Sequence, residues 1–274
     1  MVEKKSKLEK TITELGLSEA EAVKSLRELS KPDKTRRLTH HHPWNPKRIK
    51  LGFLPDTHIG SKFFDKEIFE DAVRTFDREK VDAVYHVGDI IEGMSNRDGH
   101  IYELDILGTT KQVEYACELL QKIKQPLYFL EGNHQDWAMR KGNQGVEVGK
   151  MIEHVLPNAK KIGDMVADVT LAKNIRLRIS HEGASAYALS YSGQKRINAL
   201  EGGTKPNIIM NGHLHKSLYM FYRNIHYFEA GSMQRQTPFM AMKGSPAMLG
   251  YWVLDLAIQG GQLKELTPKY KPFY

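Results

Sequence analysis

The sequence contains a single cysteine and no long apolar run, and these two scarcities exclude several classes of protein. With Cys117 alone, no disulfide can form within the chain, and its pattern VEYACELLQKI favours burial on a helix face over catalysis. The hydrophobic fraction is 41%, and no run of about eighteen apolar residues predicts a membrane span. The N-terminus shows neither an apolar segment nor a cleavage site, so we expect a cytoplasmic protein.

The net charge of +7 is concentrated near the N-terminus. Residues 1–50 hold 13 Lys or Arg against 7 Asp or Glu, whereas the remainder holds 27 against 26. A basic segment of this kind can track a polyanion such as nucleic acid. A solvated basic helix pair that aids solubility explains the same charge equally well.

Two regions are predicted along the chain. Residues 1–47 form a basic helical module and a linker: helical patterns over 5–30 turn at Gly16, and prolines and polar residues fill 31–47. The module's size permits a helix-turn-helix, although no recognition residues can be identified in it. Residues 48–274 are predicted to form one α/β domain.

From Ile49 onward, short apolar runs alternate with helical patterns, which is typical of strands joined by crossover helices. The predicted strands are IKLGFL, DAVYHVG, PLYFLEG, IRLRISH, NIIMNGH, IHYFEAG and YWVLDLAI. The predicted helices span 65–79, 109–124, 144–156 and 186–200. Thr109 and Gln112 have the spacing of a capping box.

Side chains that bind metals follow five of these strands. They are Asp56 and His58 after the first, Asp89 after the second, Asn133 and His134 after the third, His181 after the fourth, and His213 and His215 after the fifth. Because strand ends in open α/β sheets form the ligand crevice, these residues should converge. Carboxylate, imidazole and amide ligands suit divalent ions such as Mn, Fe or Zn. The set is too large for one ion, whereas a pair about 3.5–4 Å apart uses it fully.

The blocks DTH, GD, GNH, H and GHLH, in this order, resemble the calcineurin-like metallophosphoesterase family over roughly residues 49–255. That resemblance implies a sandwich of β-sheets flanked by helices, with residues 48–274 as the metallophosphoesterase domain. It implies two divalent ions, manganese foremost, with iron, zinc or nickel as alternatives. The implied ligands are Asp56, His58 and His215 for one ion and Asn133, His181 and His213 for the other, with Asp89 bridging and His134 as general acid.

A narrower resemblance rests on DTHIGS, GDIIEG and FYRNIHYFEAGSMQRQTPF. These stretches are similar to the small exonuclease subunit of archaeal family D DNA polymerase and to SbcD-type nucleases. Gln135 stands where that pattern has an Asp beside the catalytic histidine, so His134 must be oriented by another group, for which Asp136 is a candidate. The N-terminal module is shorter than the polymerase subunit's accessory domains, which favours a free-standing enzyme.

The charge of two divalent ions exceeds that of Asp56 and Asp89, so the pocket should attract phosphate and generate a bridging hydroxide near neutral pH. We expect hydroxide to attack phosphorus in line while His134 protonates the leaving alkoxide. Arg140 and Arg196 are candidates to hold a neighbouring phosphate, although arginines more often lie at the surface without such a role.

Two enzymatic functions fit these residues: a DNA nuclease, acting as exonuclease or endonuclease, and a phosphatase or phosphodiesterase for smaller phosphoesters or phosphoproteins. A non-catalytic scaffold fits less well, since none of the seven ligands is missing. The basic N-terminus and the polymerase-subunit resemblance favour DNA. Expected partners are DNA, and a second copy of the chain or a repair or replication protein, with no membrane.

Other residues near these motifs have simpler explanations. His86 lies inside the second strand, where a hydrogen-bonded core imidazole is expected rather than a ligand. Several aromatic side chains are candidates to stack on bases near the site, although core packing explains aromatic residues more often. These are Tyr102, Trp137, Tyr187, Tyr191 and Phe239.

Overall fold

The computed structural model of the protein describes Ser18 and residues 37–38, 47–136, 147–183, 188–200 and 205–274. The predicted N-terminal helices and nearly all of the linker therefore lie outside the described residues. The same holds for Arg140, Trp137 and Tyr187, and for the side chain of Asp136. The chain divides into two compact units, Met1–Arg36 and Arg37–Tyr274.

The described part of the second unit contains twelve strands. They are β1 (Arg37–Leu38), β2 (Arg48–Leu54), β3 (Ala83–His86), β4 (Leu127–Leu130), β5 (Ala159–Gly163), β6 (Val166–Ala172), β7 (Ile175–Ser180), β8 (Ile208–Asn211), β9 (Ser217–Tyr222), β10 (Ile225–Ala230), β11 (Gly250–Gln259) and β12 (Gln262–Pro272). One six-stranded sheet has the order β12-β11-β2-β3-β4-β5 and the other β1-β6-β7-β8-β10-β9.

The described helices are α1 (Lys66–Glu79), α2 (Thr109–Leu120), α3 (Asn133–Asp136), α4 (Val148–Val155), α5 (Tyr191–Ala199) and α6 (Pro238–Met242), with a 3-10 turn at His100–Glu103. None of them is long and apolar enough to cross a membrane. All seven strands predicted from the sequence are present. The starts predicted for α4 and α5, at 144 and 186, lie outside the described residues.

Three apolar clusters hold these layers together. The two sheets face each other across a core that includes Phe53 of β2, Leu177 of β7 and Phe228 of β10. Helices α1, α2 and α4 cover the other face of the first sheet, and Ile197 of α5 packs on the outer face of the second through Tyr227. This arrangement confirms the predicted sandwich of sheets flanked by helices.

The helix boundaries follow from local contacts, one of which differs from the prediction. Helix α1 begins after Asp65, whose carboxylate accepts from two backbone amides, and ends at Lys80 in the left-handed region. The capping box predicted for α2 is wrong, because its N-cap is Gly108 and makes no side-chain bond. The buried Gln112 side chain instead accepts from Gly93 N at 2.7 Å and so ties α2 to the loop after β3.

Two buried tyrosines should respond in opposite directions to loss of their hydroxyl groups. The hydroxyl of Tyr85, between the sheets, has no hydrogen-bond partner among the described residues, whereas that of Tyr251 donates to Asp71 Oδ2 at 2.6 Å. Because an unsatisfied buried hydroxyl costs free energy, Tyr85→Phe should raise the free energy of unfolding by about 1 kcal/mol, and Tyr251→Phe should lower it similarly. Chemical denaturation measures both, and destabilisation by Tyr85→Phe would contradict the first expectation.

Candidate metal centre

The strand ends bring all the predicted metal-binding side chains to one region. Three groups have ligand atoms within 4.8 Å of one another: Asp56, His58 and His215; Asp89, His181 and His213; and His58, Glu92 and His134. Their residues follow β2, β3, β4, β7 and β8, as the sequence predicted. Separate segments of the chain therefore supply one compact cluster of imidazoles and carboxylates.

The first group combines one carboxylate with two imidazoles. His215 Nε2 lies 3.3 Å from Asp56 Oδ2 and 3.0 Å from His58 Nε2. The same Asp56 oxygen accepts from the backbone amide of His213 at 2.7 Å, which fixes the carboxylate against the loop after β8. All three side chains are largely buried.

The second group contains the amide oxygen that the sequence indicated. Asn133 Oδ1 lies 3.1 Å from His181 Nε2 and 2.7 Å from His213 Nδ1. His181 Nε2 also lies 3.0 Å from Asp89 Oδ2. Two imidazoles, one amide oxygen and one carboxylate oxygen thus surround a small space at the ends of β3, β4, β7 and β8.

Asp89 lies between the two groups. Its Oδ2 is 3.0 Å from His181 Nε2 on one side and 3.8 Å from His58 Nε2 on the other. Its Oδ1 accepts a hydrogen bond from the backbone amide of His134 at 2.9 Å, which fixes the orientation of the carboxylate. Asp89, itself a member of the second group, therefore also approaches an imidazole of the first.

The backbone around the cluster is held in an uncommon conformation. Four of its residues other than glycine have φ in the left-handed region: His58 at 50°, Asp89 at 51°, His213 at 74° and His215 at 52°. Such conformations are costly and persist where surrounding contacts enforce them. The backbone also packs closely here: at Gly212, a Cβ atom would lie only 2.6 Å from Asp56 Oδ1, so a larger residue does not fit. The fold therefore maintains strained loops where the ligand-type side chains meet.

The tautomers of two histidines show that a cation fits this arrangement. His181 Nδ1 is 3.0 Å from the Val87 carbonyl, and His58 Nδ1 is 2.9 Å from Glu92 Oε2. Since these oxygens only accept, each Nδ1 carries a hydrogen, and Nε2 is left facing the other ligand-type atoms, where a proton and a cation compete for the same lone pair. Asp56 Oδ1 and His215 Nδ1 are also buried without a hydrogen-bond partner among the described residues. Divalent cations would satisfy this donor set.

The pKa shifts of the cluster also indicate that it attracts positive charge. Burial disfavours a charged His181, but Asp89 and Asp56 outweigh it and raise its pKa to about 9. Burial alone would raise the pKa of Asp89, yet His181, His134 and His58 hold it well below its usual range. For His213, burial and the neighbouring His181 lower the pKa to about 4. Buried carboxylates here draw positive charge toward them, which is the field that a bound cation would meet.

Glu92 is a member of the site that the sequence analysis did not identify. It is buried and its two oxygens contact His58 Nδ1 at 2.9 Å, His100 Nε2 at 2.8 Å and Gln234 Nε2 at 2.7 Å. A carboxylate behind a metal-binding imidazole fixes the ring's orientation. The signal was available, since Glu92 is the acidic residue that follows Asp89 within the block GDIIEG.

His134 is oriented by a backbone carbonyl. Its Nδ1 lies 2.7 Å from the Glu92 carbonyl, so Nδ1 donates, and the side chain forms part of the cavity lining. Gln135, at the position where the resemblance has an Asp, is buried. With its amide oriented to satisfy its neighbours, it accepts from the amides of Ile90 and Ile91 at 2.8 Å. An orienting group for His134 is therefore present even though residue 135 does not supply it.

The histidine of β3 is a core residue, as expected. His86 is fully buried, accepts from Gly88 N at 3.2 Å through Nδ1, and lies 3.0 Å from Thr57 Oγ1 through Nε2. The Thr57 hydroxyl in turn donates to the Ile90 carbonyl at 2.7 Å. Burial lowers the pKa of His86 to about 3, so it remains neutral.

Arg196 occupies a different environment from the predicted substrate-binding one. Its Nη1 donates to Tyr227 OH at 2.9 Å, its Nη2 donates to the Glu182 carbonyl, and its Nε lies 3.5 Å from Glu182 Oε2. It is not among the residues that line the cavity in front of the metal cluster. These contacts to Glu182 stabilise the loop that carries His181.

A cavity of about 930 Å³ opens in front of the cluster. His58, Asp89, Asn133, His134, His213 and His215 form part of its lining. Cavities of about 300–1,000 Å³ are large enough to enclose most of a drug-sized ligand. The cluster is thus accessible to a molecule considerably larger than inorganic phosphate.

The comparison with protein families agrees with this geometry. Residues 49–217 match the family model described as calcineurin-like phosphoesterase. This range contains all seven predicted ligands and His134. The resemblance predicted from the motifs is confirmed.

The chain is also similar to curated archaeal proteins. It is 22% identical over 272 residues to the DNA polymerase II small subunit of Thermoplasma acidophilum, a match that covers 84% of this chain and 54% of that protein. The subunit of the same name from Halobacterium salinarum is 23% identical over 250 residues, with 76% of this chain and 48% of that protein covered. The chain spans about half the length of the curated relatives it matches.

Among solved structures, the chain is similar to an archaeal phosphodiesterase. The two share 13% sequence identity at a TM-score of 0.46, with 81% of this chain and 100% of the other covered.

Proposed function

The chain belongs to the calcineurin-like phosphoesterase family, and from that premise we propose that it is a two-metal phosphodiesterase that cleaves DNA. One observation carries the catalytic part of this proposal: two groups of ligand-type side chains lie side by side at a large cavity, and Asp89 of the second group lies 3.8 Å from His58 Nε2 of the first. Asp56, His58 and His215 would hold one divalent ion.

The second ion would be held by Asn133, His181 and His213, with Asp89 shared between the two. When bound, two divalent ions supply Lewis-acid charge and lower the pKa of water near phosphorus. Manganese suits the mixture of carboxylate, imidazole and amide ligands, as do iron, zinc and nickel. Among this chain's own groups, Glu92 holds the His58 ring in place through Nδ1.

The chain's contribution to bond cleavage is proton transfer from His134. The Glu92 carbonyl holds Nδ1, so the ring presents Nε2 to the cavity, 3.8 Å from Asp89 Oδ2. A proton at Nε2 would pass to the leaving alkoxide oxygen as the P–O bond breaks. Burial lowers the pKa of His134 against the opposing effect of Asp89, which makes the protonated ring a stronger acid.

Three observations support DNA over a smaller phosphoester. The cavity exceeds the needs of a phosphate group. Residues 1–50 carry most of the excess positive charge, as suits binding to a polyanion. The curated relatives are named as DNA polymerase small subunits. By the same relationship, a replication or repair protein is the proposed protein partner.

The experiment that tests the proposal compares substrates directly. Purified protein with Mn²⁺ is incubated with end-labelled single-stranded and double-stranded DNA, and separately with a chromogenic phosphodiester and a phosphomonoester. We expect cleavage of DNA and of the diester, with the product ladder distinguishing exonuclease from endonuclease action. Hydrolysis of the monoester alone would instead favour a phosphatase.

Removal of residues 1–47, which include the two-residue edge strand β1, should weaken DNA binding and leave the proposed metal ligands in place. This segment is rich in Lys and Arg and contains none of the seven proposed ligands. The loss of affinity should shrink as salt rises, because phosphate contacts release counterions. Hydrolysis of a small phosphodiester should be nearly unchanged. Binding titrations and diester kinetics on full-length and shortened protein decide the matter: unchanged DNA affinity, or equal loss on both substrates, would contradict a role in DNA binding.

A further inference from the structure

Part of the cavity lining has no role in the chemistry at phosphorus. Besides the ligand-type side chains, the cavity lining includes Arg97, Phe239, Met240 and Lys243. None of these four belongs to the groups that could hold a metal. An aromatic ring, a thioether and two cationic side chains beside a phosphodiester site suit the part of a substrate that lies next to the reacting phosphate.

The guanidinium of Arg97 lies over one face of the Phe239 ring within this lining. The guanidinium carbon of Arg97 lies 4.6 Å from the centroid of the Phe239 ring. The guanidinium is oriented by Glu103, which accepts from Nη1 at 3.2 Å and from Nη2 at 2.7 Å. Two parallel bonds to one carboxylate fix the plane of an arginine side chain. The surface is therefore preorganised and does not form only when a ligand binds.

We propose that Arg97 and Phe239 form a stacking platform for a nucleobase of the DNA strand whose phosphodiester lies at the metal centre. The inference rests on the proposed function and names where the strand binds. Bases stack on aromatic rings and on guanidinium planes without strong sequence preference. Phe239 is 38% exposed although it is large and apolar, so it has surface available to a base.

The structure selects Phe239 from the aromatic residues that the sequence suggested. Tyr102 and Tyr191 are more exposed, at 80% and 56%, and neither lines the cavity. Trp137 and Tyr187 lie outside the described residues. The Nζ atom of Lys243 lies 5.8 Å from the Phe239 centroid, which places a positive charge where the phosphate next to a stacked base would pass.

Binding without hydrolysis tests the platform. Full-length protein in chelator is titrated with a fluorescent oligothymidylate of six nucleotides and with a six-unit abasic strand, which keeps the phosphates and lacks the bases. The wild type should bind the strand with bases about tenfold more tightly. Phe239→Leu should abolish this preference while leaving abasic binding unchanged, and Phe239→Tyr should retain it. Met242→Ala, on the same helix but outside the cavity lining, is the matched control and should behave as wild type.

A charge variant separates stacking from phosphate contact. Lys243→Gln should weaken binding of both strands equally and reduce the salt dependence by about one counterion. Equal affinity of the wild type for the two strands would overturn the platform, as would equal loss of both in Phe239→Leu. Hydrolysis is measured separately with Mn²⁺: a base preference in protein that does not cleave DNA would refute the nuclease function and leave the platform standing.

Discussion

Replacement of His134 by Ala is expected to lower kcat for phosphodiester hydrolysis by about 100- to 10,000-fold while both metal ions remain bound. General acid catalysis by a positioned histidine contributes factors of this size. His134 is held through Nδ1 by the Glu92 carbonyl, at 2.7 Å, and is not a member of either proposed metal set. Its loss should therefore affect proton transfer and leave the ligand groups in place.

Asp89→Ala provides the contrast to His134→Ala. Its carboxylate lies between the two groups, 3.0 Å from His181 Nε2 and 3.8 Å from His58 Nε2, so its removal should release metal as well as abolish turnover. Elemental analysis and kinetics on both variants make the distinction, with circular dichroism to establish that each is folded. His154→Ala, at an exposed position on α4, is the control and should match wild type. Equal metal loss in the two site variants would contradict the separate roles.

The convergence of seven side chains at the strand ends could be predicted from the sequence because each signal is local: Asp56, His58, Asp89, Asn133, His181, His213 and His215. Every one follows a short apolar run, and the carboxyl ends of adjacent strands must meet at one edge of a sheet. Glu92 was missed because its importance comes from contacts with His58, His100 and Gln234, three residues that only the tertiary structure brings together. The pairing of Arg97 with Phe239 is hidden in the sequence for the same reason.

The strands that the sequence analysis missed divide into two kinds. In β6, VADVTLA, apolar residues alternate along the sequence, and this pattern already indicates a strand that buries Ala167, Val169 and Leu171. In β12, QLKELTPKYKP, polar residues and Pro268 argue against a strand, yet pairing with β11 along the sheet edge overrides that local preference. In helix α2, too, a tertiary contact replaces a local one, since Gln112 accepts a hydrogen bond from Gly93 and does not cap its own helix.

Metal dependence is the central claim, because the side chains gathered in the cluster are carboxylates and imidazoles of the kind that bind metals, and bound cations would meet the charge at phosphorus. The most direct measurement follows hydrolysis of single-stranded DNA, together with elemental analysis, before chelation, after exhaustive chelation and after addition of Mn²⁺. We predict two ions per chain before chelation, no detectable hydrolysis in the metal-free protein, and recovery with Mn²⁺. Undiminished hydrolysis by protein shown to be free of metal would contradict the account.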